Sequence, residues 1–172
     1  GKYINGEKDG QWVEWHSNGQ TKLKETYKNN KKNGKWLLWY NNGQIEVEGD
    51  YTDGEKSGKW TNWYPWGWRS YELNKKESES AFILWFDDQQ KSSEGFFKNN
   101  REDKTWVWWS REGMLDSSGV FDIGLRTGKW TFRDSEANKQ LEGRYENGLL
   151  SNLIAVSALN DFDPKKDQYD AI

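Results

Sequence analysis

The chain has no cysteine, one histidine, one methionine and two prolines among its 172 residues. Without cysteine there is no disulfide, no thiol nucleophile and no cysteine-ligated zinc. A lone His16 excludes two-histidine metal motifs and argues against a catalytic triad. No apolar run approaches the roughly 18 residues that a membrane span requires, and no signal peptide is recognisable. Hydrophobic residues make up only 33% of the chain and mean hydropathy is −1.18. Such values approach those of disordered chains. Aromatic content decides against disorder, because it reaches 16% with 13 tryptophans. A disordered chain is poor in rings, whereas each buried ring removes about 150–250 Å² from water. The composition therefore describes a thin folded protein whose scarce apolar area is concentrated in a few large side chains.

Charge excludes further classes. Twenty-five basic and 28 acidic residues leave a net charge of −3, too balanced for general attraction to nucleic acid or anionic lipid. Locally, Lys22, Lys24, Lys28, Lys31, Lys32 and Lys35 crowd one stretch, with Glu25 within it, and Asp161, Asp163, Asp167 and Asp170 load the C-terminal end.

The tryptophans fall at a fixed spacing. Trp12, Trp36 and Trp60 stand 24 residues apart, as do Phe82, Trp106 and Trp130, with a shorter 22-residue step from Trp60 to Phe82. A second series follows three residues later at Trp15, Trp39, Trp63, Trp85 and Trp109, ending at Arg133. A fixed period of this length signals stacked copies of one supersecondary unit. Glycine recurs two residues before the first ring (Gly10, Gly34, Gly58, Gly128), replaced by Ser80 and Lys104 in the middle units. It returns seven residues after the ring (Gly19, Gly43, Gly67, Gly113) and thirteen after (Gly49, Gly95, Gly119, Gly143).

Each unit reads as a β-hairpin. Lys35 to Tyr40 forms one strand, Asn42-Gly43 the turn and Ile45 to Tyr51 the return strand, followed by a polar Gly/Asn/Lys loop to the next Trp. Asn-Gly predicts a two-residue type I′ turn. That turn predicts the register: Tyr40 faces Ile45, Leu38 faces Val47, Trp36 faces Gly49 and Gly34 faces Tyr51. Each large ring then lies across the bare backbone of its partner glycine. Trp39 falls on the opposite face, beside Glu46. A helix is excluded by glycines at about 1 kcal/mol each.

Gly34-Lys35-Trp36, Trp39-Tyr40, Asn42-Gly43, Gly49, Tyr51, Gly54 and Gly58-Lys59-Trp60, with their counterparts, resemble the MORN repeat of the bacterial variant type, found in proteins named YwqK-like antitoxins. The resemblance covers residues 1–148. It implies an elongated, twisted antiparallel sheet of successive hairpins, an open all-β repeat architecture. It also implies a role in protein–protein association, scaffolding or, for some members, phospholipid binding. The expected organisation is a half repeat at 1–11, units starting at 12, 36, 60, 82, 106 and 130, a cap at 149–160 and a flexible tail at 161–172. The cap is read as a strand or short helix with Ile154 at the Trp position. Gly1 enters in mid-repeat, so the reading expects a segment upstream.

No residue pattern selects a reaction. Gly-Lys-Trp lacks the Ser/Thr of a phosphate loop, and Asn-Gly-Glu-Lys-Asp-Gly lacks the spaced ligands and closing Glu of a calcium loop. His16 occupies the place of Tyr40 and Tyr64, which assigns it a structural role. Glu48, Glu72, Glu94 and Glu142 share one repeat position, as surface carboxylates near Lys35 or Lys59 would. The reading is of a non-enzyme with no catalytic residues, cofactor or metal.

Binding is a different matter. Trp63, Trp66, Trp68 and Tyr71 crowd the third unit, and Trp108 and Trp109 the fifth. Trp66 and Trp68 flank the turn glycine Gly67, where a core has no need of rings. Aromatics of this kind are enriched at binding hot spots. These six residues are the candidate contact set, even though packing against the irregular stretch after Tyr71 explains them too. The leading expectation is a protein partner or self-association through end strands, with antitoxin-like neutralisation as one form. The alternative is a glycan on the Trp-rich surface. Lipid contact has only the Lys22–Lys35 cluster behind it, and nucleic acid is not expected. The composition suits a soluble protein, and leaves bacterial cytoplasm and export under an upstream signal equally open.

Overall fold

The computed structural model describes residues 1–158. The expected tail at 161–172, and the last two residues of the expected cap, lie outside them. Among the described residues there is no helix, so none is long and apolar enough to cross a membrane. The chain divides into two compact units, residues 1–89 and 90–172.

The first unit holds β1 (Lys2–Ile4), β2 (Glu7–Trp15), β3 (Thr21–Lys28), β4 (Lys31–Trp39), β5 (Ile45–Thr52), β6 (Glu55–Trp63), β7 (Arg69–Lys76) and β8 (Glu79–Trp85). The second holds β9 (Lys91–Lys98), β10 (Arg101–Trp109), β11 (Leu115–Asp122), β12 (Leu125–Asp134), β13 (Lys139–Glu146) and β14 (Leu149–Ala158). In each unit strand order in the sheet follows chain order, every pairing is antiparallel, and the sheet does not close on itself. The fold is the expected all-β succession of hairpins.

The register around Trp36 agrees with the sequence reading at three positions and differs at one. Gly34 faces Tyr51, Trp36 faces Gly49 and Leu38 faces Val47. Ile45, however, faces Trp39 rather than Tyr40, across a bulge between Leu38 and Trp39. The cause is the turn. Gly43 N–H donates to the Tyr40 carbonyl at 3.0 Å and Tyr40 N–H to the Gln44 carbonyl at 2.9 Å. Only Gly43 has positive φ, at 84°. This is a three-residue loop with a glycine bulge, not the two-residue type I′ turn. The type I′ turns lie at the other end of the strands, where a polar loop was expected. Asp53 and Gly54 both have positive φ, at 52° and 91°, and join β5 directly to β6. Each of β2 to β7 and β10 to β13 therefore belongs to two hairpins, and within a unit no loop separates the repeats.

The rings do pack on glycines, but the covering ring comes from the next strand. A Cβ on Gly49 would stand 2.2 Å from the Trp60 ring, and one on Gly119 would stand 2.1 Å from Trp130. Gly95 bears the same relation to Trp106. Trp60, Trp106 and Trp130 are at most 4% exposed and are the buried apolar side chains among the described residues. Between β5 and β6, Glu48 faces Thr61 and Asp50 faces Ser57, so Gly49 meets the three residues Gly58, Lys59 and Trp60. The two extra residues form a bulge that swings the indole over the glycine. Gly58 (φ 62°) and Gly128 (φ 65°) open this bulge, and Lys104 (φ 61°) takes the same conformation without being glycine.

This geometry explains the 22-residue step. Strands β7 and β8 pair residue for residue without a bulge, and Phe82 faces Leu73. Removing two residues removes the bulge, and with it the need for both glycines. At the C-terminal end the expected cap is strand β14. Ile154 does not take the Trp position: Leu153 faces Gly143, while Ile154 faces Glu142 on the other face. Ser151 alone is extra between Asn152 and Leu150, so this bulge is one residue shorter than that before Trp60 and the face assignment flips.

Gly49→Ala should lower stability by about 1–3 kcal/mol through overpacking against Trp60, read from the urea midpoint. Lys104→Gly should raise it by about 1 kcal/mol by relieving a left-handed backbone. A Gly49→Ala protein as stable as the parent would refute the contact.

Candidate functional site

The six candidate residues divide between the two units. Trp63, Trp66, Trp68 and Tyr71 belong to the first unit, Trp108 and Trp109 to the second. Within the first unit they divide again. Tyr71 faces Asn62 and Leu84 on the Trp60 face, 5.6 Å from the Phe82 ring. Burial pushes its phenol above the usual 10.0. Trp63 faces Arg69 on the opposite side of the sheet.

Trp66 and Trp68 flank Gly67 at a three-residue turn. Gly67 N–H donates to the Tyr64 carbonyl at 2.9 Å and Tyr64 N–H to the Trp68 carbonyl at 2.7 Å. Trp66 stacks on Tyr64 with ring centroids 4.9 Å apart and planes 4° off parallel. The other face of that stack meets water, since Trp66 is 51% and Trp68 40% exposed. Successive turns are tied together beneath these rings. Asn42 Nδ2 donates to the Pro65 carbonyl at 2.7 Å, Tyr40 Oη to the Trp63 carbonyl at 2.8 Å and Tyr64 Oη to the Trp85 carbonyl at 3.1 Å. His16 Nε2–H makes the equivalent bond to the Trp39 carbonyl at 2.8 Å. Its role as a structural tyrosine substitute follows.

Trp108 is a core ring. It lies between Trp106 at 5.6 Å and Trp130 at 5.9 Å, and Trp130 continues the stack to Phe132 at 6.0 Å. The residue two after the first Trp points to the same face as that Trp, so a ring there extends the row. Trp109 lies half-buried, with Lys91 Nζ 5.8 Å from its centroid.

Three of the four carboxylates that share a repeat position are paired with lysines, and Glu48 faces Leu37 and Thr61. Glu72 binds Lys59 at 2.9 Å, Glu94 binds Lys91 at 2.7 Å and Glu142 pairs with Lys129. Lys35 takes Asp50 at 3.2 Å. The Lys22–Lys35 cluster is split by the pleat. Lys24, Lys28, Lys31 and Lys35 share one face, while Lys32 faces Tyr27 on the other and binds Glu25 at 2.9 Å. Among the described residues no three His, Asp or Glu side chains gather as metal ligands.

One series went unread in the sequence. A cation stands four residues before each of four core rings. Lys8 Nζ lies 4.5 Å from the Trp12 centroid, Lys32 5.7 Å from Trp36, Lys56 4.1 Å from Trp60, and the Arg126 guanidinium 4.4 Å from Trp130. The spacing was present in the sequence. Its meaning depends on the bulge, which brings residues four apart in a strand onto neighbouring places over one ring.

Trp108→Ala should cost about 3 kcal/mol, as loss of a packed ring does, while Trp66→Ala should stay within about 0.5 kcal/mol as a surface change. Chemical denaturation of the two variants separates the core ring from the exposed one. No protein-family model matches the chain, and no curated protein matches it.

Proposed function

We propose that this protein is a non-enzymatic interaction module that receives an extended protein segment as an added strand along β14. The observation that carries this reading is the surface of that strand. Leu149 is 75% exposed, and Leu150, Leu153, Ile154 and Val156 are each about half exposed. Leu149–Ala158 contains no charged residue, whereas every other strand has at least one. Among the described residues nothing pairs with its outer edge. Natural edge strands are guarded by charge, proline or shortness, and β14 has none of these. Strand addition supplies backbone hydrogen bonds for affinity and side-chain pockets for specificity. A second copy of the chain satisfies the same chemistry by antiparallel pairing of one uncharged strand with itself. The resemblance of the repeat to MORN units supports a scaffold of this kind, and the likeness to YwqK-like proteins makes neutralisation of a partner one form of it.

The double variant Leu153→Lys, Ile154→Lys puts a charge on each face of β14. In sedimentation analysis the parent should self-associate or bind its partner, and the variant should do neither while keeping its far-UV spectrum. A parent that stays monomeric and partnerless, indistinguishable from the variant, ends the proposal.

A second reading rests on the Tyr64–Trp66 stack and the exposed Trp68. Flat apolar rings held in place beside polar turn groups suit the apolar face of a sugar. A glycan array showing binding abolished by Trp66→Ala but not by the β14 variant would favour it.

A further inference from the structure

The cation series has one member whose circumstances differ. Lys56 faces Tyr51 across the strand pair, with Lys32 on the same face over the neighbouring ring of Tyr51 at 5.3 Å. On its other side β7 brings Lys75 opposite Gly58, again on that face. Lys56, Gly58 and Lys75 line a groove of about 280 Å³, together with Thr52, Glu55, Ser57 and Glu77. Glu55 faces Thr52 on the other side of the sheet. Lys32 has Glu25 as counter-ion at 2.9 Å; among the described residues Lys56 has no carboxylate partner. Burial, and then the ammonium groups of Lys32 and Lys75, pull Lys56 below its usual 10.5, and no carboxylate acts against them.

The rings beneath these lysines are short of acceptors as well. In the second unit Trp106 Nε1–H donates to the Phe96 carbonyl at 2.9 Å and Trp130 Nε1–H to the Val120 carbonyl at 3.2 Å. In the first unit the indole N–H groups of Trp12, Trp36 and Trp60 are buried with no acceptor. A buried donor without a partner is costly and uncommon. That face of the first unit thus carries buried indole donors, beside a groove lined by Lys56 and Lys75 with the Glu77 carboxylate at its end.

We propose that the Lys56–Lys75 groove is an anion site that takes a phosphate-type group bearing two or more negative charges. The backbone at Gly58 lets the group approach where a side chain would obstruct it. The two ammonium groups supply charge-assisted bonds, which are about twice as strong as neutral ones. Lys32 keeps its own bond to Glu25 and is not part of the site.

Trp60 is the built-in reporter, because the Lys56 ammonium lies 4.1 Å from its ring. Titration of the full chain with inorganic pyrophosphate, at constant ionic strength, should give a saturable change in tryptophan fluorescence. The apparent Kd should weaken at least tenfold in Lys56→Met and in Lys75→Met, and remain unchanged in Lys129→Met, a lysine of the second unit on the face away from Trp130. Affinity should fall as pH rises through the lowered Lys56 value, where the ammonium loses its charge. Phosphatidylcholine vesicles with and without phosphatidic acid provide a second arm. Lys56-dependent binding of pyrophosphate alone assigns a soluble phosphate, and Lys56-dependent vesicle binding assigns a lipid headgroup. Absence of saturable binding in both arms, or binding that Lys56→Met and Lys75→Met leave intact, overturns the proposal. Circular dichroism of the variants guards against loss of fold, and Lys56→Arg should retain binding.

Discussion

Trp60 lies on Gly49, and most of the architecture is a consequence of making that contact possible. An indole can sit flat on a strand only if the residue beneath has no Cβ, since that atom would be 2.2 Å from the ring. It can reach that place only if its own strand is longer by two residues, which Gly58 allows through a left-handed conformation. The contact therefore demands a glycine beneath the ring, a Trp and a left-handed residue two before it, which is glycine at Gly58 and Gly128 and Lys104 before Trp106. A sheet with so few aliphatic residues has no second layer to bury. One ring closed beneath by bare backbone, and at Trp60 and Trp130 above by a cation, is the centre of such a unit.

The departures from the pattern follow the same logic. Glu25 stands where Gly49 stands in the next repeat, and Trp36 is correspondingly only half-buried. The carboxylate is itself buried, and it is held by Lys32 and by the Tyr27 hydroxyl at 3.0 Å. Lys104 keeps the bulge without glycine, at the cost of a strained backbone. At β7 and β8 the bulge is deleted outright, and an ordinary Leu73–Phe82 pair replaces the ring on glycine. At β14 the bulge is one residue short, which turns Ile154 to the far face and leaves aliphatic side chains in water.

Regular positions carry the fold, and the irregular ones are where this surface offers anything to a partner. The tip rings Trp66 and Trp68, the uncharged edge of β14 and the lysines around Lys56 are three separate features, each produced by a local change in an otherwise repeated plan. Trp108, which breaks the aromatic spacing just as conspicuously, belongs instead to a row of stacked rings. An extra ring is thus informative only once the face it occupies is known.

Period, strand content, most of the Trp36–Gly49 register and the two-faced character of the sheet were legible in the chain, because a residue's face follows from counting by two away from a turn. Counting fails wherever extra residues enter. The turn at Gly43 adds one and moves Ile45 from Tyr40 to Trp39; the bulge before Trp60 adds two and hands Gly49 to a ring from the next strand. Asn42-Gly43 was expected to close a type I′ turn and closes a three-residue loop, while Asp53-Gly54, in what was expected to be a polar loop, forms the type I′ turn. The lysine series was visible as a spacing, but its closeness to the rings was not. Local sequence determines that the chain turns and which residues prefer to be buried. Only the paired strands decide how many residues each turn and bulge consumes, and that count assigns every side chain to its face.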